Sequence, residues 1–249
     1  MRIEMELQPS YILHTRPYRD TSLWIDFFSK EQGRVAAIAH GTRRLRSPYK
    51  MTLQQFTPIL ITGRGKGDLL ALNNAEIDGS AFHLSGDRLH CGWYLNELIL
   101  RLLIRFDPYP QLFQYYAESI QALACSQRGP EAVLRLFEKR LLKELGYGLT
   151  LSQEAGTGVA VHPEAYYYYQ ATEGLSLVTN YQSHKNSQIK RSVFIGKHLL
   201  SIEADQMEDP AVLRDAKRLM RIALAQRLGH RPLRTRTVFL QLQQGIRRK

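Results

Sequence analysis

Leu23-Trp24-Ile25-Asp26-Phe27-Phe28 is the stretch on which the fold turns. Leu23, Ile25 and Phe27 alternate with Trp24, Asp26 and Phe28, the period of two of a strand with two distinct faces. Further β-rich runs follow at Val35–Ala39, Pro58–Thr62 and Asp68–Leu72. They are separated by Glu31-Gln32-Gly33, by a basic loop from Gly41 to Lys50, and by Gly63-Arg64-Gly65-Lys66-Gly67. About five short strands with glycine turns predict a small barrel over residues 1–80, because closure removes exposed sheet edges.

From about Leu89 the apolar period becomes helical. Tyr94, Leu95, Leu98 and Leu102 share one face, and Leu112, Phe113, Tyr116, Ile120 and Leu123 share another beyond the break at Asp107-Pro108-Tyr109-Pro110. A third helix begins near Pro130, buries Val133, Leu136, Phe137, Leu141 and Leu145, and stops at Gly146-Tyr147-Gly148. These three predict a bundle over 88–148. Residues 150–205 are rich in Gly, Thr, Ser and Tyr and read as a small irregular β-containing insert. Its run Tyr166 to Tyr169 could stack on bases, but alternating strand tyrosines more often pack half-buried. Asp209-Pro210 then places an N-cap acid before a first-position proline, opening a helix over 209–229. Val212, Ala216, Leu219, Met220 and Ala223 form its apolar face. The expected class is α+β, with a barrel domain at 1–80 and a mostly helical domain at 81–249.

Charge narrows the partners. The chain carries 34 Lys+Arg against 23 Asp+Glu, a formal net charge of +11, which favours a polyanion, nucleic acid or an anionic membrane surface. Residues 1–80 hold 11 basic and 8 acidic residues, whereas 214–249 hold 11 basic and one acidic, Asp215. Arg214, Lys217, Arg218 and Arg221 fall at i, i+3, i+4 and i+7, opposite the apolar face of their helix. A solvated face normally mixes signs, since like charges at this spacing repel, so a bound anion is the better account. In the barrel, Arg43, Arg44, Arg46 and Lys50 lie in one loop, near Arg34 and near Arg64 and Lys66 of the glycine-rich tip. Barrels of this size bind oligonucleotides across one face, loops tracking phosphates and aromatics stacking on bases. Trp24, Phe27, Phe28 and Tyr49 are the aromatic candidates, although at least half must fill the barrel.

Enzyme signatures are sparse. The segment Gly63 to Asp68 lacks the spacer and the Gly-Lys-Ser/Thr ending of a phosphate loop, and reads as a hairpin tip showing two cations. Neither Gly-x-Ser-x-Gly nor His-Glu-x-x-His occurs. His162 and His184 lack ligand companions at metal spacing. Glu203, Asp205, Glu208 and Asp209 could hold Mg²⁺, but acids before Pro210 are also what a helix N-terminus collects. Cys91 and Cys125, the only two cysteines, cannot build a four-thiolate zinc site or a disulfide framework and read as free thiols in a reducing cytosol. The N-terminus carries acids and no apolar run, so no signal peptide is expected. No stretch reaches the roughly 20 apolar residues of a bilayer span. A soluble, cytoplasmic protein without cofactor is expected.

In the first 80 residues stand, in this order, Tyr11-Ile12-Leu13-His14-Thr15-Arg16-Pro17-Tyr18, Gly33-Arg34-Val35, Gly41-Thr42-Arg43-Arg44, Ser47, Leu53-Gln54-Gln55-Phe56 and Leu69 to Glu76. Downstream follow Tyr94-Leu95-Asn96-Glu97-Leu98, Leu112-Phe113, Leu134-Arg135-Leu136-Phe137-Glu138, Leu142 to Gly148 and Leu233-Arg234-Thr235-Arg236. In this order and spacing the pieces resemble the bacterial RecO family of DNA repair proteins. The resemblance implies an N-terminal OB-fold, a helical domain and a nucleoid-associated recombination mediator that is not an enzyme. Such a mediator binds single- and double-stranded DNA and anneals complementary strands. With RecR (and RecF) it loads RecA onto strands coated by single-stranded-DNA-binding protein (SSB), whose acidic tail it binds on the helical domain. For that tail the third helix offers Arg135, Lys139 and Lys143 at i, i+4 and i+8, with Arg140 beside them, although Glu131, Glu138 and Glu144 could equally pair with these cations. Many members carry four cysteines as a zinc site in the insert. Here 150–205 holds none, so no metal is expected. The alternatives are a nucleic-acid-processing enzyme (a metal-dependent nuclease or RNA modifier) on the same barrel, and a basic membrane-surface or ribosome-associated protein. Cleavage of labelled strands in Mg²⁺ would mark the first, and competition by anionic vesicles or ribosomal RNA the second.

Overall fold

The computed structural model describes residues 2–43, 49, 51–125, 129–179 and 191–247. Strands β1 (Arg2–Tyr18), β2 (Ser22–Ser29), β3 (Gly33–Ala39), β4 (Ile59–Lys66) and β5 (Leu69–Ile77) close into a barrel of order β1-β2-β3-β5-β4. Closure depends on the length of β1: its first half, Arg2–Ser10, pairs with β4, and its second, Ser10–Tyr18, with β2. The β3–β5 pairing is parallel and the others antiparallel, an OB-like arrangement. The alternation at Leu23–Phe28 is real. Ile25 and Phe27 are fully buried inside the barrel with Val35, Ala37, Ile59, Ile61 and Leu70, each of these side chains larger than alanine contributing about 1.5–3 kcal/mol through burial.

The chain divides into two compact units, Met1–Gln127 with Pro232–Lys249, and Arg128–Arg231. In the first, helices α1 (Gly86–Leu102) and α2 (Pro110–Cys125) lie on the barrel wall. Phe28, which alternation places outside the barrel, is nevertheless buried, because Phe113 and Tyr116 of α2 pack against it, tilted and edge-on, at 5.5 and 6.0 Å. Asn96 of α1 locks the joint: its Nδ2 donates to the Leu13 carbonyl at 2.9 Å and its Oδ1 accepts from the Tyr116 hydroxyl at 2.6 Å. A buried amide left without these partners would cost about 1–3 kcal/mol. The C-terminal helix α6 (Arg234–Arg247; the side chains of Leu240 and of 242–247 are outside the description) returns to this unit. Glu97 of α1 caps it, accepting from the Arg234 and Thr235 amides at 2.8 and 2.9 Å and from the Thr235 hydroxyl at 2.6 Å.

The second unit contains α3 (Pro130–Glu144), the strands β6 (Tyr166–Gln170), β7 (Gly174–Leu177) and β8 (Val193–Ile195), α4 (Gly196–Glu203) and α5 (Pro210–Leu228). The strands form an antiparallel sheet of order β7-β6-β8. Tyr167 and Tyr169 are buried at 2% and 5% exposure while Tyr166 and Tyr168 are half-buried, so the tyrosine run packs as alternating strand residues do. Asp209 caps α5 by accepting from the Ala211 amide at 2.6 Å, with Pro210 in the first turn. The whole apolar face expected for this helix is buried. The three helices read as one bundle fall in two units: α1 and α2 pack together in the first, and α3 packs against α5 in the second. The reason lies in the buried side of α3, which includes Leu134 and Leu142 and also the charged pair Arg135 and Glu138. Among the described residues no helix is long and apolar enough to cross a membrane.

Candidate nucleic-acid interface

On the barrel, strand geometry separates cations that reach solvent from cations that hold the fold. β4 and β5 form a hairpin whose turn is Gly67 at φ 70°, and Arg64 and Lys66 stand exposed beside it. Arg43 is also exposed. Its amide donates to the Thr21 carbonyl at 3.0 Å and its guanidinium to the Arg19 carbonyl at 3.4 Å, which ties the start of the basic loop to the β1–β2 turn. Arg44, Arg46 and Lys50 lie outside the described residues, as does His184. Tyr49 donates from its hydroxyl to the Asn73 carbonyl at 3.0 Å and packs against the barrel core.

Arg34 faces the other way. Its guanidinium donates to the Leu100 carbonyl at the end of α1, and its own carbonyl accepts from the Phe106 amide at 3.1 Å. Burial, then the neighbouring Arg105 charge, pulls its pKa below the ordinary arginine value. At Gly33, φ is 64° and an added side-chain carbon would overlap the Asp107 carbonyl. The connection between α1 and α2 therefore lies directly on this end of the β2–β3 face, the surface OB barrels commonly offer to oligonucleotides.

The opposite end of that face holds Trp24, one of the aromatic candidates of the sequence, with two arginines the sequence does not point to, Arg16 and Arg105. Trp24 is half-buried on the barrel exterior. Arg16 of β1 lies over its ring at 4.4 Å to the centroid, and Arg105, from the α1–α2 connection, at 5.9 Å. Arg105 is held by Asp26 at 3.4 Å. Tyr18 is tilted against Trp24 at 6.3 Å, and Arg19 lies over Tyr18 at 5.3 Å. The β1–β2 register Arg16↔Trp24 is the signal that could have found the first pair. Arg105 comes from a loop 79 residues from Asp26, which no local pattern reveals.

In the second unit, Arg214, Lys217 and Arg221 are exposed along α5. Lys217 pairs with Glu131 at 2.8 Å, and that hydrogen bond holds the Glu131 carboxyl below the usual carboxylate range. Arg218 is half-buried: it donates to the Val193 carbonyl at 2.8 Å, pairs with Asp215 at 3.0 Å and lies over Phe194 at 4.7 Å. Of the α3 set, Arg135 is buried at 7% exposure in an ion pair with Glu138 at 2.9 Å. Lys139 closes the C-terminal end of α4, its Nζ donating to the Ile202 and Glu203 carbonyls at 2.9 and 2.6 Å and to Asp205 at 2.7 Å. Arg140 is half-buried and Lys143 exposed. Asp205 and Asp209, weighed above as metal ligands, thus serve Lys139 and the α5 cap. Among the described residues no group of three or more His, Cys, Asp or Glu could hold a metal ion.

Residues 1–81 match the family model described as Recombination protein O N terminal, and residues 83–237 match Recombination protein O C terminal. The DNA repair protein RecO of Dechloromonas aromatica (strain RCB) is 40% identical over 246 residues, covering 98% of this chain and 99% of that protein. The DNA repair protein RecO of Coxiella burnetii (strain RSA 331 / Henzerling II) is 40% identical over 236 residues, covering 95% and 98%. That of Nitrosococcus oceani is 41% identical over 236 residues, covering 95% and 93%.

Proposed function

The chain belongs to the RecO family of recombination proteins, and on that premise we propose that it acts in DNA repair as a mediator. It binds single- and double-stranded DNA, anneals complementary strands and, with RecR (and RecF), helps load RecA onto SSB-coated strands. The observation that carries this reading is the barrel surface, where exposed cations at Arg16, Arg43, Arg64 and Lys66 accompany a half-buried tryptophan, Trp24. Annealing makes and breaks no covalent bond. It requires that two phosphate backbones be brought together against their repulsion, which bound cations achieve by releasing counterions.

One strand is assigned to the barrel, through Arg43, Arg64 and Lys66 with Arg44, Arg46 and Lys50 of the basic loop. A second contact is assigned to the exposed face of α5, through Arg214, Lys217 and Arg221. Arg34, bonded to the Leu100 carbonyl, and Arg218, bonded to Asp215 and the Val193 carbonyl, are assigned to holding the fold. The SSB tail is assigned to the α3 region through the exposed Lys143 and the half-buried Arg140; Arg135 is buried with Glu138 and Lys139 closes the end of α4. Annealing of SSB-coated complementary strands tests the proposal. Acceleration that weakens with salt is expected, with log K falling at a slope of roughly −3 to −4 for about five phosphates on a single strand. No acceleration, or a slope near zero, overturns it.

A further inference from the structure

We propose that Trp24 is a stacking platform for an unpaired nucleobase, flanked by Arg16 and Arg105, and that it gives the barrel a preference for single strands. The inference rests on the DNA-binding reading above and adds to it the part of the nucleic acid that is recognised.

Three observations carry it. The first is placement. Phe27 fills the barrel interior and Phe28 lies under α2, whereas Trp24 stands on the outer wall and is half-buried. The second is company. A tryptophan kept for packing is normally covered by apolar side chains, but this one is faced by two guanidinium groups and a tyrosine. Arg105 is pinned by Asp26, while Arg16 is exposed. A base laid on the ring would therefore displace a solvent-facing guanidinium, which is then placed to reach the adjoining phosphate. The third is confinement. The backbone of the α1–α2 connection lies on the β2–β3 face at Gly33 and Arg34, whereas at Trp24, beside the β1–β2 turn, it contributes the Arg105 side chain.

Stacking discriminates because a paired base has no free face to offer, whereas every unpaired base does. Phosphate contacts alone do not make this distinction.

The test uses the full chain with Trp93→Phe, which leaves Trp24 as the only tryptophan, since the sequence contains two. An oligothymidylate and an abasic strand of the same length are titrated at low salt, following strand anisotropy and Trp24 emission together. The oligothymidylate is expected to quench Trp24 and to bind roughly 5- to 150-fold tighter than the abasic strand, the span of one stacked base. Trp24→Leu is expected to erase that gap, and Trp24→Phe to keep part of it. Binding of oligothymidylate with unchanged Trp24 emission, or an equal gap in Trp24→Leu, overturns the stacking site and leaves the DNA-binding reading in place. If neither strand binds, both fall.

Discussion

On the barrel, Arg16, Arg64 and Lys66 stand exposed, Arg16 against the ring of Trp24, while Arg105 on the same ring is held by Asp26. In the second unit, Arg135, Lys139 and Arg218 each meet an acid, and two of them meet backbone carbonyls as well. Sequence charge points in the opposite direction, since 1–80 are nearly balanced and 214–249 are strongly basic. The fold redistributes that charge. Residues 232–249 return to the unit that holds the barrel, which then carries 19 basic and 12 acidic residues against 15 and 11 in the other. A count of cations along the chain is therefore a poor guide to the cations available to a polyanion. What matters is whether each one stays exposed to solvent once the chain is folded.

The sharpest way to break this contrast is to remove a held cation. Arg135→Ala would leave Glu138 charged at 1% exposure, and breaking a buried pair from one side costs about 3–5 kcal/mol. Urea denaturation should show a loss of that size, with the effect on DNA binding following only from unfolding. A loss under about 1 kcal/mol, as for a surface pair, would mean that the inward cations are ordinary exposed ones and that the contrast does not exist.

The converse is reversal of the exposed set. Arg43→Glu, Arg64→Glu and Lys66→Glu together should leave stability nearly unchanged, within about 0.5 kcal/mol for each exposed site. Single-strand affinity should fall on the order of tenfold or more, and the salt slope should become shallower by about 2, three phosphate contacts at roughly 0.7 each. An unaltered slope in a salt titration would move the nucleic acid off this hairpin.

Legibility in the sequence divides along the same line. Helical faces are readable on α2 and α5, where all five positions expected to be apolar are buried, because a period near 3.6 survives over 16 or more residues; on α3, Leu136 and Leu145, expected inside, are half-buried. The barrel was readable as a barrel, but β1, its longest strand, was not delimited. Its 17 residues contain Pro9 and Pro17, which argue against a strand. Its register also shifts between Met5 and Gln8 and again between Ile12 and His14, so the period of two is broken twice. The site was legible in its residue types and much less in their roles. Arg135 and Glu138 sit three residues apart on α3 and look like an ordinary solvated pair, since nothing local announces that their side of the helix faces the interior. Arg16, Trp24 and Arg105 meet only once two strands and a distant loop are folded together.

The smallest effect tests the part of the contrast that is least extreme. Lys217 is an exposed cation with a partner, Glu131, and the two side chains keep 47% and 55% of their exposure. Such a pair contributes about 0–1 kcal/mol to stability. Its contribution has a definite sign with pH. Because Lys217 lowers the Glu131 pKa in the folded state, the contribution is present above the unfolded carboxyl value and is lost as pH falls through the lowered one. Glu131→Gln should therefore leave stability almost unchanged at neutral pH and remove that small acid-side dependence. If α5 contacts DNA, the same change frees Lys217 for a phosphate and should raise affinity at low salt by about two- to threefold, with a slightly steeper salt slope. Unchanged affinity in a salt-resolved binding titration would mean that the exposed row Arg214, Lys217 and Arg221 is not a DNA surface. The barrel would then be left as the single grip, and annealing would have to bring its second strand in by another route.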